Sequence, residues 1–189
     1  MSSGSLDSPP YIGAQDLMKL ASIYDALTLL KLLLDNYGYV YLEGTNLSEN
    51  GAFIIHPANW PKSDIESAKK CWPAMERADL QFVGVNAPES VNGHTPKHFD
   101  GILNGMACEL KFMNSNTVNF KKNVINKVDD ASGQGAELLV IVLDEELKIS
   151  DNELVMLNKI ALKRIYQRKR DPLFSKTKTL LESAIVIKK

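Results

Sequence analysis

The stretch HFDGILNGMACELKF, residues 98–112, decides how the chain is read. At its centre Asn104-Gly105 separates two apolar-rich runs. Asn-Gly in that setting predicts a two-residue type I′ hairpin turn. Such a turn sets the register: Leu103 faces Met106, Ile102 faces Ala107, Gly101 faces Cys108, Asp100 faces Glu109, Phe99 faces Leu110 and His98 faces Lys111. Side chains alternate between the two faces of a strand. One face therefore carries Leu103, Met106, Gly101, Cys108, Phe99 and Leu110, a core face. The other carries Ile102, Ala107, Asp100, Glu109, His98 and Lys111. Two carboxylates thus oppose each other, with a lysine and a histidine as the next pair. Directly opposed like charges destabilise a sheet by about 0.2–1 kcal/mol, so the pairing needs a reason. On one reading these are polar residues on the solvent face of an edge hairpin. On the other they are a site, where a hard cation such as Mg²⁺ turns repulsion into binding.

The flanking sequence places this hairpin in a larger order. Residues 15–36 predict a helix with Leu17, Leu20, Tyr24, Leu27, Leu30 and Leu34 at helical spacing and Gly38 as the stop. YVYLEG and AFIIHP predict a hairpin pair joined by NLSENG. From residue 63, SDIESAKKCWPAMERAD predicts a helix with Ser63 as N-cap, Glu66 completing a capping box, and a kink or break at Pro73. LQFVGV predicts a strand and NAPESVNGHTP a loop; KHFDGIL and MACELKFM are the hairpin strands. Residues 117–131 predict a helix with Val118, Val124, Ile125 and Val128 on one side, and ELLVIVL a buried strand. A helix over Asp151–Arg168 ends before Pro172, and SAIVI predicts a last short strand. The expected fold is α/β (α+β): a mixed central sheet flanked by helices, with an αβββαβ core. Residues 1–62 form an N-terminal helix–hairpin extension with a disordered tip packed on a core of residues 63–189.

Composition narrows the classes. With 189 residues, 44% hydrophobic and 24% charged, the chain can build one domain with a real core. No apolar run approaches the roughly 20 residues of a membrane span, and MSSGSLDSPP has no apolar core of a signal peptide. Cys71 and Cys108 offer neither a disulfide framework nor a metal-ligand cluster, which suits a reducing cytosol. The net charge of −1 hides an asymmetry: residues 156–189 hold ten basic and two acidic side chains. That basic end is either a footprint for a polyanion or a solvated helix face with a Lys-tipped tail. Within LNKIALKRIYQRKRDP, Lys159, Lys163, Arg164, Arg168 and Arg170 cluster with Tyr166 available for stacking.

Asp100, eight residues, then Glu109-Leu110-Lys111 resembles the D-x(n)-E-x-K signature of the PD-(D/E)XK (restriction-endonuclease-like) nuclease superfamily. That superfamily's core order is helix, three strands, helix, strand, as expected here over residues 63–143. HTPKHFDGILNGMACELK, NFKKNVINKV and GQGAELLVIVL look more closely like the C-terminal nuclease toxin domains of contact-dependent inhibition systems and related mobile-element proteins. The resemblance covers about residues 94–143. The family proline directly precedes the aspartate, whereas Phe99 does so here and the nearest proline is Pro96.

The resemblance implies a metal-dependent endonuclease that hydrolyses phosphodiester bonds of DNA or tRNA. Its implied site of action is the cytoplasm, after delivery as a toxin, with a cognate immunity protein as a further partner. Asp100, Glu109 and the Leu110 carbonyl would ligate Mg²⁺ or Mn²⁺, and Lys111 would orient water or stabilise charge on the phosphate. Gln134 occupies the position of a family glutamine, and His98 would bind phosphate or act as an acid. Lys163, Arg164 and Arg168 would track substrate. A helix glutamate, Glu66 or Glu76, would complete the metal site. Two alternatives compete: a metal-independent tRNase using His/Lys/Glu acid–base chemistry, and a non-catalytic nucleic-acid- or protein-binding module on the same fold.

Overall fold

The computed structural model describes residues 12–45, 51–56, 62–78, 80–84, 92, 99–177 and 180–189. Its elements run α1 (Ala14–Ile23), α2 (Ala26–Asn36), β1 (Val40–Tyr41), β2 (Gly51–Ile55), α3 (Lys62–Arg77), β3 (Leu80–Gly84), β4 (Gly101–Leu103), β5 (Met106–Met113), α4 (Phe120–Ala131), β6 (Leu138–Leu143), α5 (Asp151–Lys169), α6 (Pro172–Thr177) and β7 (Ser183–Lys188). The fold is α/β, built on one seven-stranded mixed sheet in the order β1-β2-β3-β4-β5-β6-β7. β4 is antiparallel to both β3 and β5, while β5, β6 and β7 are parallel. The order expected over residues 63–143 is therefore the order found. The N-terminal hairpin continues the same sheet, because β2 pairs with β3 in parallel.

Strand alternation sorts the core into two faces. Phe53, Phe82, Leu103, Cys108 and Val140 point toward α3, where Cys71, Trp72 and Met75 are buried against them. The opposite face is covered twice. Ile54, Val83 and Ile102 meet Leu17, Leu30 and Leu33 of α1 and α2. Leu139, Ile141 and Val186 meet Val124 and Val128 of α4 and Leu157, Ala161 and Ile165 of α5. β6 is buried at every position because both its faces are covered.

The far edge of the sheet is capped at Val186 by a side chain. Asn158 on α5 donates to the carbonyl of Val186 at 2.9 Å and accepts from its N–H at 2.8 Å. It thereby occupies both backbone groups that Val186 would offer a further strand.

Several local expectations need correction. The single helix over 15–36 is two helices, because the Asp25 carboxylate accepts from the Thr28 N–H at 2.8 Å and caps a new start. Tyr24 and Leu27 at the break are exposed rather than core. α3 begins at Lys62, one residue before the expected cap Ser63, and runs unbroken through Pro73. Pro73 costs α3 one backbone hydrogen bond, and the packing of Trp72, Ala74 and Met75 on the sheet offsets it. α4 starts after Asn119, which caps the Lys122 N–H, so Val118 lies outside the helix and is 92% exposed. α6 was not expected from the sequence. The expected loop over 86–96 lies almost wholly outside the described residues.

Candidate active site

Asn104 and Gly105 take the left-handed backbone of a type I′ turn, with φ of 49° and 81°. The predicted register follows: Leu103↔Met106, Ile102↔Ala107 and Gly101↔Cys108. The hairpin is not at an edge. β4 and β5 are the fourth and fifth of seven strands, and both their faces are covered. Glu109 is only 3% exposed, so the solvent-face reading of its charge is overturned.

β4 is also shorter than expected, and its early end builds the site. A Cβ at Gly101 would lie 2.3 Å from Phe82 Cζ and 2.4 Å from the Val83 carbonyl oxygen, so only glycine fits against β3. Immediately before it the ladder slips: the Asp100 N–H donates to the Cys108 carbonyl at 3.0 Å. The Asp100 side chain then accepts from the Leu110 N–H at 2.7 Å. It takes a donor that a longer β4 would have used, and its carboxyl comes within hydrogen-bonding reach of Glu109. On the same face Lys111 Nζ lies 2.7 Å from Glu109 Oε1. Among the described residues Glu109 Oε2 is buried with no donor. Two acceptors facing each other without a hydrogen between them call for a proton or a cation.

The electrostatics follow from that shortage. Burial, Asp100's charge and a shared hydrogen bond raise the Glu109 pKa to about 8, against the pull of Lys111. Burial also raises Asp100, more than the Leu110 N–H and the Lys111 charge lower it. Burial alone would lower Lys111, but the charges of Glu109 and Asp100 outweigh it and hold the ammonium. On α4, Lys127 is lowered by burial and then by the charge of Lys111.

These groups open into a cleft of about 340 Å³ between β5 and α3. From α3 it is lined by Asp64, Ser67, Ala68, Lys70 and Cys71, and from the sheet by Asp100, Glu109, Leu110, Lys111 and Phe112. The helix acid in the cleft is therefore Asp64, whose charge also pushes Asp100 upward. Glu66 instead lies 3.7 Å from Lys69, and neither it nor Glu76 lines the cleft. A second cleft of about 320 Å³ lies at the turn end of the hairpin, against α1 and α2. Its described lining contains no lysine, arginine or histidine, and its one acid, Asp25, caps α2.

The structure disperses the remaining expected substrate residues. His98 lies outside the described residues. Gln134 donates to the Asp130 carbonyl at 3.0 Å and finishes α4. Lys163 is exposed on α5. Arg164 and Arg168 each form a two-pronged pair with Asp129 of α4, at 2.6–3.0 Å. Neither arginine lines the cleft; both are committed to Asp129 and clamp α5 to α4. Burial alone would raise Asp129, but the hydrogen bonds from Arg168 and Arg164 hold it at about 2.

Among the described residues no three His, Cys, Asp or Glu side chains converge as a metal-binding group. The set on offer is the Asp100–Glu109 pair with its orphaned oxygen. That fits a hard cation that keeps most of its waters, as Mg²⁺ does, better than a fully protein-ligated one. No described helix is long and apolar enough to cross a membrane. Set beside family models, curated proteins and solved structures, the chain matches none.

Proposed function

We propose that the protein is a metal-dependent nuclease of the PD-(D/E)XK type, of toxin or mobile-element kind, hydrolysing phosphodiester bonds in DNA or tRNA. The observation that carries this reading is the convergence of Asp100, Glu109 and Lys111 in one cleft, with Glu109 Oε2 buried and lacking a donor. Asp100, Glu109 and the Leu110 carbonyl would hold Mg²⁺ or Mn²⁺. When bound, such an ion supplies the Lewis acid that polarises a phosphate and lowers the pKa of water. The cleft supports that requirement: Asp64, Asp100 and Glu109 outnumber Lys70 and Lys111, and a phosphodiester brings a further negative charge.

The chain's own groups do the rest. Glu109 fixes the Lys111 ammonium at 2.7 Å, so the lysine's remaining hydrogens are aimed rather than free to wander. They donate to the attacking water or to a non-bridging phosphate oxygen, where charge grows as the new P–O bond forms and the leaving P–O bond breaks. The Leu110 N–H holds Asp100 in place, which keeps the second carboxylate at the same point.

One observation favours a second mechanism at the same site. A Glu109 with its pKa raised to about 8 is protonated at neutral pH and can serve as a general acid without metal. Incubating the protein with plasmid DNA and with total tRNA separates the two. The metal mechanism expects cleavage with Mg²⁺ and its loss in EDTA; cleavage unchanged by EDTA sinks it in favour of acid–base chemistry.

A further inference from the structure

We infer that Lys70 on α3 is a substrate-positioning residue that holds a phosphate next to the scissile one, so that the cleft selects oligonucleotides over isolated phosphodiesters. The inference rests on the nuclease reading above.

Lys70 lines the same cleft as Asp100, Glu109 and Lys111 but belongs to its opposite wall. The two neighbouring lysines of α3 differ in their commitments. Lys69 is held by Glu43 at 2.9 Å and lies 3.7 Å from Glu66. Lys70 is exposed, and among the described residues no carboxylate pairs with it. Its Nζ lies 5.8 Å from the ring centroid of Phe112, which steers the ammonium over the rim of β5. Phe112 follows Lys111 in β5 and points to the other face of the sheet. The cleft therefore carries one ammonium on each side of β5: Lys111, held 2.7 Å from Glu109, and Lys70, which forms no ion pair among the described residues.

A single phosphodiester at Asp100 and Glu109 uses only Lys111. A nucleic acid strand carries a charge on every nucleotide, and the next phosphate needs its own cation. Among the described residues Lys70 is the cleft's remaining cation for that charge. The adjacent half-buried Phe112 ring offers its face to the sugar or base between the two phosphates.

The test uses Lys70→Met, which keeps the aliphatic stem over Phe112 and removes the charge. Steady-state cleavage is measured on a labelled oligonucleotide and on bis(p-nitrophenyl) phosphate, which has one phosphate. We expect KM for the oligonucleotide to rise about tenfold with kcat unchanged, Lys70→Arg to restore it, and hydrolysis of the small diester to stay the same. Binding is measured in parallel on the Glu109→Gln protein, by anisotropy of the same oligonucleotide across a salt series. The log–log slope should fall by about 0.7–0.9 when Lys70→Met is added, the loss of one phosphate contact. Cleavage with unchanged KM and unchanged salt slope overturns the role of Lys70 while leaving the nuclease reading standing. No cleavage of any substrate, with the slope still reduced, overturns the nuclease reading and leaves Lys70 as a phosphate ligand of a binding module. Neither cleavage nor binding overturns both.

Discussion

Two charge clusters in this molecule have the same ingredients in opposite proportions. Between α4 and α5, one carboxylate, Asp129, is shared by two guanidiniums, Arg164 and Arg168. At the end of β4, two carboxylates, Asp100 and Glu109, share one ammonium, Lys111. The first cluster satisfies every oxygen of its acid with paired hydrogen bonds and pulls the carboxyl down to about 2. The second leaves an oxygen of Glu109 without a donor and pushes both carboxyls up. Cations in excess around an acid hold helices together; acids in excess around a cation, in a cleft, leave binding capacity unspent.

The sharpest way to break that contrast is to remove the minority charge from each side, the one cation beside the two acids and the one acid between the two arginines. Lys111→Ala should lower nuclease activity by at least about 100-fold, the range seen when a donor to transition-state charge is lost. It should leave Tm within a few degrees, because Glu109 is largely protonated at neutral pH and does not become an unpaired buried charge. A collapse of Tm would make Lys111 a structural residue and erase the difference between the clusters. Asp129→Asn should do the reverse. It leaves two guanidiniums without their acceptor and should cost about 2 kcal/mol, below the 3–5 kcal/mol of a fully buried pair. The discount reflects side chains still about a quarter exposed, at 23–24%. For a chain of this size that is roughly 4–8 °C in Tm by thermal unfolding. Activity per folded molecule should not change, and an equal loss of activity would bring α5 back as part of the substrate surface.

The two clusters were unequally legible in the sequence. The Asn104-Gly105 turn fixes a register locally, so the approach of Asp100 to Glu109 follows from residues a few positions apart. Even there the regular pairing stops at Gly101: the Asp100 N–H shifts to the Cys108 carbonyl, and its side chain takes the next N–H of β5, that of Leu110. No alternation pattern contains that slip, because it comes from the close approach of Gly101 to Phe82 on a neighbouring strand. The role of Asp64 and Lys70 depends on how α3 docks across β5, and the sequence pointed to Glu66 or Glu76 as the helix acid, not to Asp64. Arg164 and Arg168 look like solvated charges in a basic run because their partner lies 35 and 39 residues away. The hydrophobic pattern found the strands, the order of elements along residues 63–143 and the buried strand; it could not say which charges face inward.

The smallest effect separates the clusters by pH. Asp129 has a folded pKa of about 2 against an ordinary 3.8, so its stabilisation is present above pH 4 and is lost as pH falls through about 2. Glu109 has the opposite sign. Its pKa is raised from 4.5 to about 8, so the folded state binds a proton that the unfolded chain has released across that interval. Stability from this group is whole below pH 4.5 and drains away as pH rises through 8. Glu109→Gln keeps the shape of the neutral acid and removes the titration. In EDTA, its Tm should match that of the unaltered protein near pH 5 and exceed it by a few degrees near pH 9. The gap should shrink when Mg²⁺ is added at pH 9, because an ion bound only by the folded carboxylate form stabilises that form by mass action. A Tm difference that stays flat from pH 5 to 9 would mean that Glu109 is ionised throughout, its charge balanced by Lys111 alone.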